Sequence, residues 1–160
     1  MQLENLNEKQ KIKLKIELKL RCMEVLAERI KNSHTAINEA QDSANNEQKS
    51  SSGDKYETSR AMGHLDIEMN RKQLHETEQE LAFLQIINVE ITYSKIAIGS
   101  VAVCEDKLFF IAIGLGNLNW ENNNVICMSA KSPLYNELKQ KSAGSEFKFL
   151  DKIYRIEDVF

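Results

Sequence analysis

Asp54 and Glu57 lie three residues apart inside the stretch Ser50-Ser51-Ser52-Gly53-Asp54-Lys55-Tyr56-Glu57-Thr58. On a helix, residues at that spacing share a face, so the two carboxylates would project together. Two chemistries fit. The first is local: one acid accepts from the free N–H groups at a helix start and the second reaches back, as in a capping box. Both acids also suit the positive end of the helix dipole. The second is ligation. Mg²⁺ takes oxygen ligands and is often held by one or two carboxylates, with water or substrate completing its shell. Such a pair could not hold the ion well alone, so it would have to carry its oxygens to a metal inside another protein. The residues by themselves leave both chemistries open.

Little else in the chain has the spacing of a reactive site. His34, His64 and His75 are scattered, and the single His64/Glu68 pair reads as surface decoration rather than as a metal site. The sequence has no P-loop, no GxGxxG and no GxSxG. Gly114-Leu115-Gly116 reads as a turn between strands. The three cysteines, Cys22, Cys104 and Cys127, are far apart in sequence and form no CxxC. They read as small buried hydrophobes in a reducing compartment.

The elements that would position the acid pair follow from periodicity. Met23, Leu26, Ile30, Ser33, Ile37, Ala40 and Ala44 alternate spacings of three and four, the seam of a helix that packs on a partner. From Tyr56 to Ile87 a second helix is predicted. Met62, Leu65 and Met69 share one of its faces, and Ile67, Leu74 and Leu81 form a stripe on every seventh residue. Neither helix is apolar enough to stand alone. The Ser- and Gly-rich stretch between them suits a loop, so an antiparallel helical hairpin over residues 1–88, with its tip at 50–57, is the economical solution. About thirty residues per arm give a rod of roughly 45 Å. Residues 11–20, KIKLKIELKL, alternate with period two but lack a turn signal. They read as helix, with their lysines as a solvated basic face.

Beyond residue 88 the composition changes. Of the eleven aromatic residues, nine lie there, together with the only proline. Short β-rich runs at 96–103, 108–113, 124–130, 146–150 and 152–160 are separated by turn signals. Ser132 as cap and Pro133 in the first turn open a helix that Gly144 would stop. The expectation is an α+β chain whose residues 89–160 form an antiparallel sheet with one helix on one face. A net charge of −3 argues neither for a nucleic-acid coat nor for an acidic tail, and no run approaches the length of a membrane span. A cytoplasmic, membrane-free protein is expected.

At this point the motifs, taken in order, resemble those of the Gre transcript cleavage factors of bacterial RNA polymerase. That family's hairpin tip carries Gly-Asp-x-x-Glu, matched by Gly53, Asp54 and Glu57. Its globular domain carries a Ser-Pro-Leu helix start, matched by Ser132, Pro133 and Leu134, then Leu138 and Gly144, and a closing Tyr-x-Ile strand, matched within KIYRIEDV. The likeness covers nearly the whole chain. Departures are Tyr56-Glu57-Thr58, where the family has Ser-Glu-Asn, and Tyr135 and Gln140, where it has glycines.

The resemblance implies an FKBP-like domain over 89–160 that docks at the rim of the polymerase's secondary channel, with Ser132, Pro133 and Leu134 as candidate contacts. The hairpin would bring Asp54 and Glu57 to the active centre. There they would share a Mg²⁺ ion in a two-metal site, in which one ion activates the attacking oxygen and the other stabilises the leaving one. RNA would be met only at its 3′ end within that complex. The factor would act in trans, as a monomer, binding no cofactor alone and being no enzyme itself. Two alternatives stand beside this one. One is a Gre-shaped channel regulator without cleavage; the other is a coiled-coil adaptor or chaperone-like protein in which Asp54 and Glu57 only cap a helix.

Overall fold

The computed structural model describes residues 6–47, 54–105, 107–121 and 123–160, without the side chains of 46, 47, 54–57 and 59. It is an α+β protein. Two long helices, α1 (Glu8–Glu47) and α2 (Asp54–Ile86), are followed by strands β1 (Val101–Cys104), β2 (Lys107–Ala112), β3 (Gly116–Trp120) and β4 (Asn123–Ser129). A short helix α3 (Pro133–Leu138) and strands β5 (Glu146–Phe149) and β6 (Lys152–Val159) complete the chain. Residues Met23–Phe83 form one compact unit; Met1–Cys22 and Leu84–Phe160 together form the other.

In the Met23–Phe83 unit, burial follows the seam spacing of α1: Leu26, Ser33 and Ile37 are buried and Met23, Ile30, Ala40 and Ala44 half-buried. The protected stripe of α2 is Gly63, Ile67, Asn70, Leu74, Thr77 and Leu81, again at alternating three- and four-residue steps. It contains the predicted Ile67/Leu74/Leu81 set. Two of its members are polar, and each satisfies itself on the turn below. Thr77 Oγ1 donates to the Gln73 carbonyl at 2.8 Å and Asn70 Nδ2 to that of Asp66 at 2.9 Å. Met62, Leu65 and Met69 do share a face, but it is the exposed one.

In the second unit, α1 opens with a capping box. Asn7 Oδ1 accepts from the Gln10 N–H at 3.0 Å, and Gln10 Oε1 accepts from the Asn7 N–H at 2.9 Å. Residues 11–20 are helical, but their lysines are not a solvated face. Lys15 is fully buried, its ammonium donating to the Ile91 carbonyl and lying 4.8 Å from the Tyr93 ring centroid. Lys11 pairs with Asp158 at 2.5 Å. Lys19 donates to the Gln85 and Ile87 carbonyls at 2.9 and 2.8 Å, satisfying the end of α2. These lysines are four apart and lie beside Leu14, Leu18 and Cys22, all buried. The period-two pattern therefore conceals a helix face on which charged and apolar groups turn inward together.

The sheet is mixed, with order β3-β4-β2-β1-β6-β5, and not the antiparallel sheet expected. β2 and β4 run parallel, with Phe109 opposite Ile126, while the other pairings are antiparallel. Parallel neighbours need a connection long enough to bring the chain back. Here β3 is that connection: residues 113–115 carry the chain one strand-width past β2, β3 runs back along the edge, and β4 enters the space between. Gly114 and Leu115 do lie in a turn between strands, but the Asn-rich run that follows them is this edge strand, with Asn117 and Asn119 exposed.

Both sheet faces are covered, which explains why LFFIA does not alternate. Phe109, Ile111, Ile126 and Met128 join Leu138, Phe147, Tyr154 and Ile156 on one side. Phe109 meets Phe147 edge-on at 5.3 Å. Leu108, Phe110, Val125 and Cys127 point the other way and are equally buried. On that side Cys127 touches Cys22 of α1, so one helix on one face understates the packing. Helix α3 is shorter than expected. It ends at Leu138, and Gln140 takes φ 65° because its N–H donates to the Ile96 carbonyl at 2.9 Å, drawing the chain away. Gly144, at φ 86°, serves the turn into β5 instead.

Candidate functional site

The candidate site is the start of α2. The backbone of Asp54, Lys55, Tyr56 and Glu57 forms the first turn of that helix. Both acids therefore occupy the end where N–H groups lack helical acceptors and the dipole favours negative charge. Gly53 and the rest of the predicted loop at 50–53 lie outside the described residues, as do the Asp54 and Glu57 side chains. Next to that turn, Ala40, Ser43 and Ala44 of α1 and Thr58, Arg60, Met62, Gly63 and Asp66 of α2 line a cavity of about 380 Å³. The wall contributed by α1 is built of small side chains.

Pro133 and Leu134 already have structural work, whereas the Ser132 side chain does not act as the expected cap. Ser132 is extended at φ −66°, ψ 137°, and its side chain makes no capping hydrogen bond; Pro133 occupies the first turn of α3. Leu134 and Tyr135 pack on the core cluster, leaving Pro133 as the exposed member of the motif. No family model, curated protein or solved structure matches this chain.

His34, His64 and His75 are exposed, and His75 Nε2 is hydrogen-bonded to Gln79 at 2.9 Å. Among the described residues no three His, Cys, Asp or Glu side chains converge as metal ligands, and no helix is long and apolar enough to cross a membrane.

Spacing in sequence gave no sign of the closest thiol contact. Cys22 Sγ and Cys127 Sγ are 3.6 Å apart and buried, 105 residues apart in the chain. That separation is the contact of two thiols, well beyond the length of a disulfide. Their hydrogen bond lowers the Cys22 pKa, against burial and with help from Arg21. The same bond, with burial, raises the Cys127 pKa, and either thiol can be the donor. The signal available in the sequence was that Cys22 continues the Leu14, Leu18 helical row.

Proposed function

We propose that the chain is a Gre-like factor of bacterial RNA polymerase. In this reading α1 and α2 form an antiparallel coiled-coil hairpin that enters the secondary channel, and the sheet unit is an FKBP-like body that docks at its rim. The observation that carries the reading is the place of Asp54 and Glu57 in the first turn of a 33-residue helix. From Asp54 to Phe83 such a helix runs roughly 45 Å, the reach a deep channel requires. The complementary seams of α1 and α2, and the small residues near Asp54, support a thin paired rod. The order of Gly53-Asp54-x-x-Glu57, Ser132-Pro133-Leu134 and the closing strand adds to it.

The donor set fits a shared ion rather than a resident one. Mg²⁺ seeks a near-octahedral oxygen shell, and two carboxylates fill only part of it. Bound at the polymerase centre, the ion would supply an activated water for hydrolysis of a displaced RNA 3′ end. Asp54 and Glu57 would contribute oxygens to its shell and accept hydrogen bonds from that water. The protein alone would hydrolyse nothing.

A backtracked transcription complex tests this. Added protein should accelerate RNA shortening, and Asp54→Asn or Glu57→Gln should reduce that acceleration by at least about tenfold, as loss of a metal-site group does. Asn keeps the capping acceptor. A silent Asp54→Asn would therefore assign the pair to helix capping, and no shortening by the wild type would remove the cleavage mechanism. Tyr56 and Thr58, in place of the family's Ser and Asn, favour one second reading: a channel-binding regulator that alters initiation without shortening RNA.

A further inference from the structure

Helix α2 carries a second stripe, opposite its protected one. Met62, Leu65, Met69, Lys72, Glu76, Gln79 and Phe83 repeat the alternating three- and four-residue step. Met62, Leu65 and Met69 are 59%, 55% and 70% exposed and Phe83 38%, high values for large apolar side chains in a row. Lys72, Glu76 and Gln79 are exposed too. Scattered surface leucines need no explanation, but an apolar row at coiled-coil spacing with a polar centre does.

We propose that this outer stripe pairs with the same stripe of a second copy of the chain, antiparallel, about a two-fold axis beside residue 74. The charges choose the occupant and the register. A closed two-fold interface must be self-complementary, and this stripe is. Setting Lys72 against the second copy's Glu76 forms two equivalent ion pairs at the centre. The same alignment puts Leu65 against Phe83 and Met69 against Gln79, so apolar groups flank the charges on both sides. An unrelated apolar helix would leave Lys72 and Glu76 without partners in the middle of its contact. Asp66 and Glu80 flank the stripe and would face each other across the pair, a solvated like-charge contact that holds the affinity down. The dimer therefore exchanges with the monomer expected from the sequence. This inference does not rest on the polymerase reading.

Sedimentation equilibrium of the full chain over a range of concentrations tests it. The wild type should show a reversible monomer–dimer equilibrium. Lys72→Glu and Glu76→Lys, both at exposed positions, should each raise the dissociation constant about tenfold by placing like charges together. The double variant K72E/E76K restores opposite charges and should return to near the wild-type value. Leu65→Gln should also weaken the dimer, with helicity by circular dichroism unchanged in every variant. A wild type that is monomeric throughout overturns the proposal. So does a dimer indifferent to the single charge reversals, or one that the double variant fails to rescue.

Discussion

At the scale of single residues, Lys15 is the most consequential group outside the candidate site. Burial lowers its pKa from 10.5 to about 8. Between those values the unfolded chain binds a proton that the folded chain does not, so stability rises with pH through that window. The contribution is fully present above the unfolded pKa and is lost as pH falls through about 8. The Ile91 carbonyl and the Tyr93 ring favour the ammonium and oppose the shift. Denaturant unfolding from pH 7.5 to 10.5 should show the wild type gaining stability relative to Lys15→Met, by at most about 3 kcal/mol, the equivalent of the full displacement. A difference that does not change with pH would mean that Lys15 stays charged in the fold. The period-two pattern of KIKLKIELKL does not separate Lys15 from Lys13, which is exposed. Helical spacing does, because it sets Lys15 beside Leu14 and Leu18 and turns Lys13 away.

At the scale of elements, periodicity was a good guide where one face meets one partner and a poor one where several do. The α1 seam from Met23 to Ala44 matches the burial residue by residue. On α2 two stripes coexist, and sequence could not say which faced inward. The more apolar Met62/Leu65/Met69 row is outside, while the row inside includes Gly63, Asn70 and Thr77. Burial on α2 therefore does not follow apolarity alone. Gly63 gives a test at this scale. A Cβ built there meets nothing within 4 Å. Gly63→Ala should therefore stabilise the helical unit by about 1 kcal/mol through helix propensity, roughly 2–4 °C in Tm by thermal melt. A loss of stability would mean that the glycine is needed for close helix packing.

At the scale of the whole molecule, the change in composition near residue 88 does not coincide with a division between self-sufficient parts. Residues Met1–Cys22 belong to the same compact unit as the sheet. Leu14, Leu18 and Cys22 are buried there, and Lys11, Lys15 and Cys22 bond to Asp158, Ile91 and Cys127. A chain starting at Val89 would expose the sheet face that carries Phe110, Val125 and Cys127. A domain of about seventy residues has little core to spare. Such a chain should lose cooperative unfolding in a urea titration, whereas the full chain keeps it. A cooperative transition at the same midpoint would show that the first helix adds nothing to the sheet.

Local chemistry in the sequence determined the α+β class, the two long helices, five of the six strands and the Pro133 helix start, because helix and strand periods and turn residues act over a few neighbours. It also set the acid pair three residues apart, and α2 begins at the first of them. Tertiary structure alone decided the parallel β2–β4 pairing, the edge strand hidden in an Asn-rich run, the inward lysines and the meeting of Cys22 with Cys127. Each of these depends on which distant backbone or side chain fills the neighbouring space. That is a property of the folded packing, and no window of adjacent residues contains it.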